Sequence, residues 1–384
     1  MNGEGCGQRR PPEKTADRPR GELQSPEELS SLVRELTVSV WAFAALACAD
    51  EAGLLEELFE PRSLTDLAER TSLPVPIVSA VVDILVSLGL VRPEAGPVFV
   101  AEPVLAPALG GPERSVLRAE LRSNLLQSVQ MVTDARRGRL APGWLPADPL
   151  VLHAQGDRSA FLPAAWIEHV FPALDGLLER LAGTRASFLD VGVGVARLTI
   201  GLCSRFPTLT AVGLDPLAQV LSEARANVEA HSLANRVELR RGRVEDLEDR
   251  SAFDLVHIPA MFLSPSTLAA GLSRIQAALR PGGWVLIQTL TPQDDSLASA
   301  VVRLWCTLWG GESLSLRQVV TLLNLEGFES AKAFPALSGL PIGHAAGRRP
   351  LCWSSGAHPV LRRRLGVKPS VSEPEGNPPN FPQK

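Results

Sequence analysis

The chain has 384 residues, 45% of them hydrophobic and 21% charged, with a formal net charge of −4, so it can bury the cores of two domains and offers no general basic surface to nucleic acid. Five scattered cysteines, Cys6, Cys48, Cys203, Cys306 and Cys352, contain no C-x-x-C pair, which argues for reduced thiols and against a zinc site or a disulfide framework. No metal site is indicated.

Residues 1–25 are rich in Gly, Pro, Arg and Glu without apolar periodicity and read as a disordered tail. M-N-G-E-G-C-G-Q-R-R-P-P lacks a hydrophobic signal region, and no apolar run reads as long enough to span a bilayer, so a cytoplasmic protein without a membrane partner is expected. From Glu27 to Leu58 the apolar residues Leu29, Leu32, Val33, Leu36, Val40, Phe43, Ala44, Leu46 and Ala47 recur at helical spacing. Next comes a helix starting at Ser63 or Thr65, a turn at Leu73 to Pro76, and a second helix ending at Gly89. Two short extended runs, Leu90 to Arg92 and Val98 to Ala101, enclose the turn P-E-A-G-P. This order of elements is a winged helix, expected over residues 26–110. A helix that reads the major groove needs basic or amide side chains on its exposed face, and Pro76 to Leu90 offers only Asp83 as a charge. The domain is therefore expected to pair with protein and not with DNA.

Residues 111–180 read as a largely helical connector, which carries Trp144, His153, Phe161, Trp166, His169 and Phe171. The segment S-F-L-D-V-G-V-G-V-A-R-L, Ser187 to Leu198, then runs from a buried strand through a glycine turn into a helix from Val195 to Ser204. Gly192 and Gly194 carry no side chain to keep a nucleotide-like ligand off the backbone, and Asp190 ends the strand. A second apolar run, Thr210 to Leu214, ends in Asp215, 25 residues after Asp190. An acidic residue there can accept both ribose hydroxyls, cap the helix Ala218 to Ala230, or do both. Runs at Val237 to Leu239 and Phe253 to Ile258 follow, then a helix Pro265 to Leu279, the turn R-P-G-G-W and a strand Trp284 to Thr289. Strands alternating with helices argue for a parallel, doubly wound sheet. From residue 341 a second disordered tail is expected, in which Arg362 to Arg364 is a solvated charge run.

The series D-V-G-V-G-V-A, G-L-D-P, F-D-L-V and L-R-P-G-G-W-V-L-I resembles the S-adenosylmethionine-dependent methyltransferases of class I. With the winged helix upstream and W-G-G-E-S-L-S-L-R-Q-V-V-T-L-L-N-L-E-G-F downstream, the resemblance extends from Leu29 to Phe334 and is to the small-molecule O-methyltransferases, the acetylserotonin methyltransferase-like group included. It implies an α/β fold with a Rossmann-like methyltransferase sheet over residues 181–340, behind an N-terminal α-helical winged-helix dimerisation domain. It also implies a homodimer, a small-molecule acceptor, and S-adenosylmethionine held by Asp190, Gly192, Gly194, Asp215 and Pro216, with Glu245 or Asp246 at the adenine amino group. The connector would roof the acceptor pocket.

Two departures from the family stand out. Its histidine base belongs in an L-H-D-W segment after the fourth strand, where this chain has M-F-L-S-P-S with Leu263 at the histidine position; and Arg243 follows Gly242 where relatives carry an acid. His257 is the first candidate for a substitute base, with His153, His169, Asp294 and Asp295 behind it. The expected activity is methylation of a small-molecule or peptide-derived secondary metabolite, on oxygen, without the usual histidine. The alternatives are C- or N-methylation on the same fold, or a non-catalytic dimeric interaction protein.

Overall fold

The protein is described from a computed structural model that covers residues 25–110, 113–144, 148–291, 294, 296–335 and 341–351. The chain divides into two compact units, Met1–Ala106 and Pro107–Lys384.

In the first unit a long helix, Pro26–Glu51, starts at Ser25, whose hydroxyl accepts from the N–H of Glu28. Strand β1, Arg62–Ser63, leads into helix Leu64–Thr71 through a capping box in which Ser63 and Asp66 each bond the other's backbone N–H. Of the two expected starts, the chain uses Ser63. Helix Val75–Ser87 ends before Gly89, which sits at φ 72°. Strands β2, Val91–Pro93, and β3, Val98–Ala101, complete a sheet in the order β1-β3-β2. Leu54, Leu58, Leu67, Val78, Val82 and Leu85 are fully buried and make its core. The winged-helix arrangement read from the sequence is present. The long helix, by contrast, buries only its C-terminal part, at Ala45, Ala47, Ala49 and Asp50. Leu29, Val33, Leu36 and Val40 are each at least half exposed. By length and composition, with mean hydropathy 1.5 over its best 18 residues, this helix could cross a membrane; the expectation that no apolar run is long enough fails here.

The second unit opens with helices Glu113–Arg136, Pro149–Asp157, Leu162–Ala165 and Leu177–Leu181, and a π-helical turn at Trp166–Val170. Strands β4 (Ser187–Val191), β5 (Thr210–Asp215), β6 (Val237–Arg241), β7 (Phe253–Pro259), β8 (Leu279–Leu290), β9 (Glu329–Phe334) and β10 (Ile342–Arg348) form one sheet in the order β6-β5-β4-β7-β8-β10-β9. The first five in that order run parallel, and β10 is antiparallel to both its neighbours. β7 is buried at every residue, and so reads as a continuous apolar run in place of an alternation. Helices Arg197–Arg205, Ala218–Ala230, Pro265–Ala278, Leu297–Trp309 and Leu316–Leu325 lie between the strands in sequence.

The turn R-P-G-G is absorbed into β8, which pairs Phe253 with Leu279 and then Leu255 with Trp284, so four residues of β8 stand against the one residue Asp254 of β7. Gly282 takes φ 75°, and a Cβ on Gly283 would sit 3.0 to 3.1 Å from three backbone carbonyl oxygens. The tail expected from residue 341 is corrected by β10. Its segment I-G-H-A-A-G-R shows no alternation because six of its seven residues are buried. It is built of small residues because Cβ atoms on Gly343 and Gly347 would meet Leu316 at 3.0 Å and Phe328 at 2.9 Å. Residues 1–24 and 352–384, including Arg362 to Arg364, lie outside the described residues.

At the N-terminal ends of β4 and β7 the Asp254 carboxylate, 4% exposed, accepts from the backbone N–H of Ser187 and pairs with Arg180 and Arg280. Removing it takes the acceptor from the Ser187 N–H and the counter-charge from two guanidinium groups, which keep only, among the described residues, the carbonyl oxygens of Pro281 and Arg185. Asp254→Ala is therefore expected to lower unfolding stability by about 3 kcal/mol, discounted for the partly exposed arginines. A denaturant titration checks it; a change under about 1 kcal/mol would contradict this account of the sheet end.

Candidate active site

The turn after β4 decides where the site lies. Gly192, Gly194 and Ala196 all take left-handed backbone, at φ 66°, 55° and 66°. The N–H groups of Gly192 and Val193 both donate to Leu214 O, at 2.8 and 3.1 Å, which ties the turn to the end of β5. Ala196 stands as the N-cap of helix Arg197–Arg205, so the helix begins two residues later than its apolar spacing suggests. For alanine this conformation costs about 1–2 kcal/mol, which neighbouring contacts must offset; Ala196 is completely buried.

Asp215 closes the same turn from the other side. Its carboxylate accepts from the N–H of Leu217 at 2.9 Å and of Gly194 at 3.3 Å. The helix cap foreseen for Asp215 is not formed, since Leu217 is the N-cap of helix Ala218–Ala230 and Asp215 bonds the N–H of that cap residue and not one of the helix's first turn; the bond to Gly194 fixes the glycine turn. Asp215 is 7% exposed, and burial pushes its carboxyl up to about 6 against the pull of those two N–H donors.

Gly192, Gly194, Asp215 and Pro216 line one end of a cavity of about 550 Å³. Gly242 and Glu245 line it too, on the turn and 3-10 helix after β6. Glu245 Oε1 accepts from Arg243 at 2.9 Å, while its buried Oε2 has no partner among the described residues. Asp246, the other expected adenine contact, is exposed and does not line the cavity; the 3-10 turn aims consecutive side chains apart.

Asp190 and His257 lie deeper, on neighbouring strands paired at these two residues. Asp190, 1% exposed, accepts from Thr199 Oγ1 at 2.7 Å and faces His257 Nδ1 at 2.8 Å. His257 Nε2 is 3.2 Å from Gln288 Oε1. A protonated imidazole donates to both oxygens; a neutral one needs the Gln288 amide turned to donate to Nε2. In neither case is a lone pair left to take a proton from a ligand. Trp166 packs against the His257 ring with centroids 5.2 Å apart and donates Nε1–H to His344 Nε2 at 3.1 Å. His344 is held neutral, its value pushed down to about 3 by burial, with His257 a lesser cause. Its Nδ1 is buried without a partner among the described residues.

The far end of the cavity is aromatic. Phe262 and Trp309 stack at 4.8 Å between centroids, 9° from parallel, and Trp144 stands edge-on to both. Of the aromatic residues expected to wall a pocket, only Trp144 lines this cavity. Trp166 and Phe171 are core residues, Phe161 packs on that core, His153 bonds Glu223 at 2.9 Å, and the His169 side chain is 48% exposed. Asp294, another candidate base, accepts from Ser296 N–H and Ser299 Oγ–H, and the Ser296 side chain first, together with these two donors, holds its carboxyl below the usual range. Asp295 lies outside the described residues. Leu263, at the position where the resembled family has its histidine, lines the cavity.

Sequence reasoning missed Phe262, Trp309, Gln288 and Arg158, all of which line the cavity. Two of them carried a signal: Phe262 is next to Leu263, and Trp309 directly precedes Gly310-Gly311. A Cβ on Gly311 would lie 2.3 Å from Met261 O, so helix Leu297–Trp309 ends hard against the segment that holds Phe262.

Comparison with known proteins bears on this geometry. Residues 188–283 match the family described as a methyltransferase domain. A ubiquinone biosynthesis O-methyltransferase from Bradyrhizobium sp. (strain ORS 278) is 32% identical over 127 residues, 33% of this chain and 47% of that protein. One of the same name from Rhodopseudomonas palustris (strain TIE-1) matches with the same figures, so the chain spans about half the length of the curated relatives it matches. Among solved structures, an O-methyltransferase family protein from Burkholderia thailandensis aligns with TM-score 0.61 at 19% identity, over 86% of this chain and 99% of the other. Human N-acetylserotonin methyltransferase in complex with SAM aligns with TM-score 0.58 at 18% identity, over 86% and 100%. The S-adenosylmethionine-dependent methyltransferase SibL aligns with TM-score 0.57 at 23% identity, over 84% and 99%. At these identities the structures speak for the fold. Residues 188–283 thus match a methyltransferase-domain family, in a chain whose fold is similar to those of the solved methyltransferases named here.

Proposed function

We propose that this chain is an S-adenosylmethionine-dependent O-methyltransferase acting on a small molecule whose oxygen reaches the site already ionised. One observation carries the reading: a single cavity joins the glycine turn and Asp215 to the pocket of Trp144, Phe262 and Trp309, and the histidine that lines it, His257, has both nitrogens occupied. The names of the relatives support O-methylation, and the S-adenosylmethionine and S-adenosylhomocysteine complexes among the similar folds support the donor.

The donor end fits such a ligand. Gly192 and Gly194 leave the backbone bare where side chains would stand, and Asp215 offers two oxygens to the ribose hydroxyls. The buried, unpartnered Oε2 of Glu245 is an acceptor waiting for an N–H, which suits the adenine amino group. Pro216 and Gly242 flank that end. When bound, the donor supplies an electrophilic sulfonium methyl; the acceptor's lone pair makes the new bond to carbon while the C–S bonding pair stays on sulfur. The chain's own residues align the acceptor and exclude water, the main requirement of such a displacement. In this reading the Asp190–His257–Gln288 chain is a positioning floor, since both nitrogens of His257 are occupied.

The exposed helix of the first unit belongs to the same proposal. Leu29, Val33, Leu36 and Val40 follow a 4-3-4 spacing, the seam of a helix that packs on another helix. A second copy of this chain is the occupant, and the protein is a homodimer. Sedimentation velocity is expected to give a dimer for the wild type and a monomer for Val33→Glu/Val40→Glu; a wild-type monomer, or one that floats with phospholipid vesicles, would contradict this.

Asp215 gives the sharpest test. Asp215→Ala removes a charged acceptor of two hydroxyl donors and is expected to weaken S-adenosylhomocysteine by about 100-fold in calorimetry. The sign of the pH dependence follows from the raised carboxyl. Without ligand, ionisation is harder in the folded protein, so Asp215 makes stability fall as pH rises from about 4 to about 6. The ligand needs the ionised form, so affinity should rise as pH increases through about 6 and level off above it. Asp215→Asn should abolish that slope; an unchanged slope would assign it to another group.

A further inference from the structure

Arg158 is the buried group that neither the donor site nor the floor uses. It lies directly after helix Pro149–Asp157, is 8% exposed and lines the aromatic end of the cavity. Its guanidinium carbon stands 5.7 Å from the centroid of Trp305 and 6.0 Å from that of Trp309. Behind it Glu120 Oε1 is 2.7 Å from Nη2, but Glu120 is shared, since its Oε2 accepts from Asn124 at 2.8 Å. Glu120 is thus the ion-pair partner that the described residues give Arg158, and it meets the guanidinium at Nη2. A guanidinium carries five N–H donors, and a single shared carboxylate at Nη2 leaves the fork able to take a second acceptor. The surroundings are built to hold it in place. Trp309 donates Nε1–H to Gln127 Oε1 at 2.7 Å, and Gln127 bonds Ser123 and Gln155, so the ring beside the guanidinium is fixed from its far edge.

We infer that Arg158 is the counter-ion of the methyl acceptor, which is a flat aromatic molecule carrying a carboxylate or an equally acidic oxygen. The inference rests on the methyltransferase reading above and deepens it. The stacked pair of Phe262 and Trp309 presents flat aromatic surface, and Trp144 stands edge-on beside it, a lining that favours a ring. The planar guanidinium fork matches the two oxygens of a carboxylate. A cation beside the acceptor also lowers the acceptor's pKa, which does by electrostatics what a base does by proton removal. That accounts for a cavity where Leu263 replaces a histidine and where His257 has no lone pair to give. The reaction balances without a base: the ionised oxygen uses its lone pair to bond the methyl carbon, the C–S pair remains on sulfur, and no proton moves.

The test compares 2-naphthoate with its neutral counterpart 2-naphthamide, read by tryptophan fluorescence in saturating S-adenosylhomocysteine. The wild type is expected to bind the acid at least ~10-fold more tightly than the amide, as one desolvated charge pair allows. Arg158→Gln should remove that preference and leave the amide unchanged, and Arg158→Lys should restore part of it. Glu120→Gln frees the guanidinium and should tighten the acid several-fold; a merely structural Arg158 would not respond so. Equal binding of acid and amide by the wild type, no saturable binding of the acid, or loss of both probes in Arg158→Gln would each overturn the inference. S-adenosylhomocysteine binding is measured first by calorimetry, so a failure of the donor site is seen separately from a failure at Arg158.

Discussion

The hydrogen bonds from Gly192 and Val193 to Leu214 O hold the site together. They force the chain leaving β4 to fold over the end of β5, and that requires left-handed backbone at Gly192, Gly194 and Ala196 in close succession. Once the turn is fixed, Gly194 N–H reaches Asp215, Asp215 reaches the start of the next helix, and a cradle of bare backbone lies beside a carboxylate. Ala196 adds strain of its own, the kind of cost that persists where the surroundings over-determine a functional turn.

The electrostatics of the cavity divide along its length. At the end beside the glycine turn stand Asp215 and Glu245, both carboxylates with atoms kept from water, as the proposed donor site would need. At the aromatic end stands Arg158, a cation. Between them Thr199, Asp190, His257 and Gln288 form a closed hydrogen-bonded row. Under the proposed function a sulfonium and an ionised oxygen would meet between these ends and leave as neutral products, so each end would steady the charge its own ligand brings. Burial raises the stakes of every one of these contacts, because solvent does not screen them.

Much of this was legible in the chain. The alternation of apolar runs with helical spacing, Gly192-x-Gly194 and Asp215 located the sheet and the turn that lines one end of the cavity, since those features depend on neighbours close in sequence. The connector was legible only as helix, because its role depends on which of its rings meet segments 100 or more residues away. Trp144 meets Phe262 and Trp309, whereas Trp166 and Phe171 turn to the core. β10 was missed for a related reason: a strand buried on both faces and made of Gly and Ala has neither alternation nor bulk to announce it. His257 looked like a base because it ends a strand beside the turn. Its neighbours across the sheet, Asp190 and Gln288, are what occupy its nitrogens, and sheet order is not written locally.

The central claim is that the left-handed turn and Asp215 form the donor cradle of a cavity whose other end receives the acceptor. A crystal structure of the protein grown with S-adenosylhomocysteine tests it most directly. The account predicts the ribose hydroxyls on the Asp215 carboxylate, the adenine amino group at Glu245 Oε2, and the sulfur facing the pocket of Trp144, Phe262 and Trp309. Density for the ligand elsewhere, or a ribose that leaves Asp215 bonded only to Leu217 and Gly194, would contradict it.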